Sequence, residues 1–253
     1  MTIITDPLFY LCAVPGVIML GLSKGGFSGV GMISTPLLAL IMPPLEAAAI
    51  LLPIILLQDV VSVWVYRRVW DPWNLKVLMP GAVVGVGAAW LLAAYVSDGV
   101  VRLVVGLIAL GFVAYAFLRH VLPAEPRWPR ASHGVFWGAL AGFTTTLIQI
   151  GAPPYYAFVL PQRLEKMIYV GTTVMFFAFA NALKVVPYFA LGQFSSAGLA
   201  TSITLFPLAI AANFLGIWLV RITPEALFYR ITNVIVFLLG CELTRQGVTE
   251  LMR

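Results

Sequence analysis

Two apolar halves of this chain carry glycine and proline at matching places. Gly21, Gly25, Pro36 and Pro44 recur as Gly138, Gly142, Pro153 and Pro161, each pair 117 residues apart (138 − 21 in the first case). One spacing held over four positions predicts a duplicated unit. Helix breakers at corresponding places in two hydrophobic halves point to the binding site of a transporter, because non-helical backbone at membrane depth survives only inside protein or against a cavity.

The solvent follows from composition. Of 253 residues, 61% are hydrophobic and 10% charged, and the mean hydropathy is +0.99. A water-soluble fold of this size cannot hide that much apolar surface, so the lipid bilayer is the expected partner. The net charge of +5 does not imply nucleic acid: the basic residues stand singly or in pairs between apolar runs, as in cytoplasmic loops under the positive-inside rule. Cys12 and Cys241 lie far apart in apolar segments and suggest no disulfide framework. No Lys or Arg precedes the first apolar run, so that segment lacks the charged start of a cleavable signal peptide and is expected to be retained.

About 20 apolar residues cross a bilayer as a helix. By that measure the first half divides into segments near 7–22, 28–42, 46–66, 75–96 and 100–119, and the second into 133–149, 152–161, 166–190, 194–220 and 225–243. The first two pieces of each half are short and glycine-rich, which predicts a hairpin or re-entrant pair followed by three full-length helices. The expected fold is an all-α polytopic membrane protein of two inverted repeats. Residues 1–119 form the first repeat, 120–132 a proline-rich cytoplasmic linker and 133–253 the second. With the amino terminus outside and each broken pair returning to its own side, Arg67, Arg68, Lys76, Arg119, Arg127, Arg130, Arg163, Lys166, Arg221 and Arg230 fall inside; only Arg102, Arg245 and Arg253 fall outside.

Both broken pairs carry chemistry. The first reads LSKGGFSGVGMISTPLL, with Lys24 at the Gly25-Gly26 junction and Ser34 and Thr35 before Pro36. Exposed amides at a helix start attract anions, and a lysine within a membrane segment marks a functional site by default. Lys24 alternatively extends to the membrane face with its stem in the apolar layer. The second pair reads GALAGFTTTLIQIGAPPYY, where Thr144, Thr145, Thr146 and Gln149 precede Gly151, Ala152, Pro153 and Pro154. Ala141 occupies the position matching Lys24, so hydroxyls and an amide replace the charge. Threonines of this kind also serve as contacts between transmembrane helices.

Other polar residues interrupt the apolar helices. Gln58 and Asp59 lie in 46–66, Asn181 and Lys184 in 166–190, and Asn213 in 194–220. Asp59 is the leading coupling group for a proton or cation, or else the partner of Lys24, Arg67 or Arg68. Lys184 matches Arg67 by the repeat spacing, which suggests an interfacial anchor as much as a binding residue. Asn181 joins the candidate substrate-binding set of Lys24, Gly25, Gly26, Ser34, Thr35, Thr144, Thr145, Gln149, Gly151 and Ala152.

The Gly-Gly-x-Ser-Gly-x-Gly stretch ending in Thr-Pro, paired with the second-half Gly-Ala-Pro-Pro turn, resembles the TauE/SafE sulfite exporter family, the toluene sulfonate uptake permeases. The resemblance covers nearly the whole chain. It implies movement of small sulfur-containing anions such as sulfite or organosulfonates across the cytoplasmic membrane, and it nominates Lys24, Gly25, Gly26, Gly29, Gly31, Thr35, Pro36 and Gly151 to Pro154.

The expected function is therefore secondary transport of a small inorganic or organic sulfur oxyanion, held at two half-helix junctions near the midplane. An anion channel or a non-transporting membrane partner subunit is the alternative. A homo-oligomer is compatible with the sequence. An intramembrane enzyme would need a metal, an activated nucleophile or paired carboxylates, and His120 and His133 have no ligand spacing. No cofactor is expected, and no phosphate-binding loop for ATP occurs.

Overall fold

In the computed structural model, residues 1–2, 27–29, 39–40, 43, 93–94, 96, 122–129 and 253 are not described; Gly29 and most of the inter-repeat linker lie outside the described residues. The described chain is helical, with ten α-helices: α1 (Pro7–Gly25), α2 (Ser34–Leu38), α3 (Pro44–Tyr66), α4 (Pro72–Leu92), α5 (Asp98–Val121), α6 (Ala131–Ile148), α7 (Ala152–Val159), α8 (Lys166–Ala190), α9 (Ser196–Ile222) and α10 (Glu225–Leu251). No strand occurs among the described residues. Among the described residues, five helices, α1, α3 (from Glu46), α4, α8 and α9, are long and apolar enough to cross a membrane. The chain divides into two compact units, Met1–Trp70 with Val170–Phe228, and Asp71–Tyr169 with Tyr229–Arg253. Each unit thus draws on both sequence halves.

In the first unit the repeated glycines lie inside a helix and not at its break. A Cβ on Gly21 would stand 2.4 Å from Ala212, and one on Gly25 would stand 2.5 Å from the Gly216 backbone. Small residues four apart on α1 therefore meet small residues four apart on α9, the arrangement that lets membrane helices touch backbone to backbone. The contacts advance together along both chains, so α1 and α9 run parallel. Helix α3 is parallel to both, since the Ser202 hydroxyl donates to Ile50 and the Asn213 amide to Gln58, one level further along each helix.

Two parallel helices, α1 and α3, joined in sequence require the intervening chain to turn back. It does so along α1: Gly31 lies against Ser23 and Leu20, and the Ser34 hydroxyl donates to the Gly16 carbonyl at 2.7 Å. The expected hairpin is present, with one correction. Its first limb is not short, because α1 continues through Lys24 to Gly25 and has 19 residues, about 28 Å; only the returning limb is broken, into a 3₁₀ turn (Val30–Ile33) and five residues of α2. Helix α8 runs antiparallel to α3, with Gly171 against Val69 at one end and Tyr188 among Ala48, Ala49 and Leu52 at the other.

The second unit repeats the construction. Gly138 and Gly142 of α6 lie against Leu78 and Ala82 of α4, and Gly81 and Gly85 of α4 against Val135 and Ala139, so α4 and α6 are parallel and in close backbone contact. Gln149, in left-handed conformation (φ 58°), ends α6. Helix α7 then returns until Phe158 reaches Gly134 and stacks on Trp73, and Gln162 exchanges hydrogen bonds with Asn74. Helix α10 outlasts its expected end at 243 because polar residues support its last turns: Glu242 pairs with Arg245 and Gln246, and Arg102 of α5 pairs with Glu250.

Because a Cβ at position 25 collides with backbone and not with a movable side chain, Gly25→Ala is expected to cost about 1–3 kcal/mol. Gly87→Ala, where nothing lies within 4 Å, should be neutral. Thermal unfolding of the two variants in one detergent checks the contrast.

Candidate functional site

The first unit buries a charged cluster built by three helices. Lys24 leaves the last turn of α1, where a cation also complements the carbonyl end of the helix. Its side chain points back toward the helix start, as lysines on helices do, and its ammonium meets the Asp59 carboxylate of α3 at 2.7 Å. The other carboxylate oxygen accepts from the Asn181 amide of α8 at 2.7 Å. Asp59 and Asn181 are each 4% exposed. Lys184, one turn beyond Asn181, is fully buried and lies within the electrostatic reach of both Lys24 and Asp59.

At two lysines the structure separates alternatives that the sequence left open. Lys24 does not extend to the membrane face: its charge is drawn inward to a carboxylate seven residues, about 10 Å, before the end of α3. Lys184 is not an interfacial anchor, since 0% of it is exposed. Asp59 takes the partner expected among its alternatives, Lys24, and not Arg67 or Arg68.

A polar stripe on α3 holds the end of α1 in place. The Ser62 hydroxyl donates to the Lys24 carbonyl at 2.9 Å, and the Tyr66 hydroxyl donates to the Gly25 carbonyl at 2.7 Å. These bonds satisfy carbonyls that a helix end otherwise leaves unpaired. Gly26 adopts φ 132° and its amide closes back onto Leu22 and Ser23, a conformation that favours glycine. Gly25 and Gly26 therefore shape the site, with their backbone groups already engaged. Asn213 of α9 joins the stripe through Ser62 and Gln58, and Gln58 donates to the Ala209 carbonyl. Sequence reasoning missed Ser62 and Tyr66. The signal was present: residues 58, 62 and 66 recur every fourth position and share one helix face.

The remaining predicted residues separate by unit. Ser34 and Thr35 are buried in the first, the Ser34 hydroxyl being committed to Gly16. Thr144, Thr145, Gln149, Gly151 and Ala152 belong to the second. There Thr144 donates to the Leu140 carbonyl and Thr146 to Gly142, each within its own helix; Thr145 is 3% exposed. Gly151 precedes the first residue of α7 and Pro153 lies in its opening turn, a place where the missing amide costs nothing.

Apolar helices of spanning length enclosing a lysine–aspartate–lysine group define a polytopic membrane protein with an ionic site among its helices. Buried ionisable residues of this kind mark substrate or ion pathways. The family model described as "Sulfite exporter TauE/SafE" matches residues 13–243, and the chain belongs to that family, which is a family of membrane transporters for sulfite and related sulfur compounds. No curated protein and no solved structure matches the chain.

Removing one member of a buried ion pair leaves the other uncompensated, at about 3–5 kcal/mol. Asp59→Asn should lose stability on that scale, because two lysines then share the pocket without a carboxylate. Lys24→Met combined with Asp59→Asn should recover part of the loss. A double-mutant cycle by thermal unfolding in detergent measures the coupling, and strictly additive losses would contradict it.

Proposed function

We propose that this chain is a secondary carrier that moves a small sulfur oxyanion, sulfite or an organosulfonate, across the cytoplasmic membrane, and that the Lys24–Asp59–Lys184 cluster receives the anion. The observation that carries this proposal is the grouping itself: the Lys24 ammonium meets the buried Asp59 carboxylate at 2.7 Å, and Lys184, fully buried, lies within electrostatic reach of both. An arriving oxyanion meets two amines in a low-dielectric setting, where such an interaction is strongest.

Lys24 turns from Asp59 to the anion in this scheme, and Asp59, still held by Asn181, becomes the coupling group that takes a proton or cation as its lysine is drawn away. Thr35, on the returning limb next to Ser34, is the proposed neutral contact of the first broken pair, and Gly25 and Gly26 fix the shape of its turn. In the second unit the turn of Thr144, Thr145, Gln149, Gly151 and Ala152 is proposed as an uncharged oxyanion contact of the same chemistry. Support for two inverted repeats comes from the shared construction of the units, a glycine-lined helix and its returning partner clasped by a parallel helix from the other half of the sequence. An odd number of crossings per half gives the opposed orientations that alternating access requires.

Lys184→Met keeps the volume of the side chain and leaves the Lys24–Asp59 pair intact. It should abolish the stabilisation of the purified protein by sulfite in a thermal-shift series and reduce sulfite uptake into proteoliposomes at least tenfold. Unchanged uptake removes Lys184 from the site. Asp59→Asn transport, where measurable, should lose its dependence on a pH gradient; an unaltered dependence removes Asp59 as the coupling group.

A further inference from the structure

A second basic site lies at one end of the first unit, away from the buried cluster. Arg67 and Arg68 follow the last residue of α3, and Arg221 is the penultimate residue of α9. Because α3 and α9 are parallel, the three arginines share one end. With Trp64 and Val65 they line an open cavity of about 250 Å³. Among the described residues no carboxylate lines it, and none of the three arginines makes an ion pair. The Arg67 guanidinium sits 5.2 Å from the centre of the Trp64 ring, which holds it by cation–π attraction while leaving its N–H edge open.

The surroundings choose the ligand. Trp64 is 65% exposed on α3 and Trp218, on α9, is 55% exposed, with exposed Val60 and Ile222 on the same two helices. Apolar helix faces of this kind meet acyl chains, and exposed tryptophans near helix ends sit at headgroup level. A basic pocket between helices just above such faces suits an anionic headgroup. We infer that Arg67, Arg68 and Arg221 bind the phosphodiester of an anionic phospholipid, with Trp64 and Trp218 against its glycerol and upper acyl region. Arginine forks match phosphate oxygens with paired hydrogen bonds, and three guanidiniums without a carboxylate leave the pocket in need of a counter-ion. The assignment depends on residence in a membrane and not on which anion the chain transports.

Native mass spectrometry of the purified protein, exposed to phosphatidylglycerol or to phosphatidylcholine in the same detergent, tests the site. Phosphatidylglycerol should be retained in preference. In Arg68→Gln/Arg221→Gln its retention should fall roughly 30-fold, the loss expected for two interfacial arginines, and Arg68→Lys/Arg221→Lys should keep most of it. Equal retention of the two lipids by the wild-type protein, or undiminished retention by the glutamine variant, overturns the assignment. Displacement of phosphatidylglycerol by excess inorganic phosphate also overturns it, since the pocket would then take a free oxyanion. If the glutamine variant does not fold, the wild-type lipid and phosphate comparisons still decide.

Discussion

The close approach of α1 to α9 sets the geometry of the first unit. With Gly25 against Gly216 and Gly21 against Ala212, no side chain separates the two backbones, and the end of α1 is fixed in depth. That depth decides which groups of α3 it meets. Ser62 and Tyr66 reach the Lys24 and Gly25 carbonyls, and the Lys24 side chain, pointing back along its helix, arrives at Asp59. A bulkier residue on the seam would move the lysine as surely as it would move the helix.

Burial makes that placement consequential. A carboxylate and two amines withdrawn from water carry a desolvation cost that only close pairing and hydrogen bonding offset. Asp59 meets this demand with one ammonium and one amide. Lys184 adds a further amine to the same low-dielectric space. The arginines at the end of the unit face different physics, since they remain exposed.

Much of this was legible in the chain. Glycines at matched positions announced two similar units, and the structure shows a glycine-lined helix with a returning partner in each. Their role was harder to read, because a glycine that breaks a helix and a glycine that admits a neighbouring backbone look alike without the neighbour. Gly21, Gly25, Gly138 and Gly142 belong to the second kind; the breaks fall just beyond, at Gly26 and Gln149, where φ turns positive. Lys24 and Asp59 could be chosen singly as intramembrane charges, and their pairing was one alternative among several. For Lys184 the sequence left an interfacial anchor and a binding residue both open, because the spacing from Arg67 gives a register in sequence and no depth. Tyr66 escaped notice because a tyrosine at the end of an apolar helix is common, and only the carbonyl it caps gives it meaning.

By itself the sequence determined the solvent and the helical class, since these follow from hydropathy and the length of apolar runs, both of which are local. Tertiary structure alone decided that each compact unit mixes both halves, that Lys24 turns inward, and that Asp59, Asn181 and Lys184 gather around it. Those outcomes depend on which helices lie parallel and how near they come. Helix packing of that kind is set by contacts between residues as far apart as Gly25 and Gly216, and no local pattern encodes it.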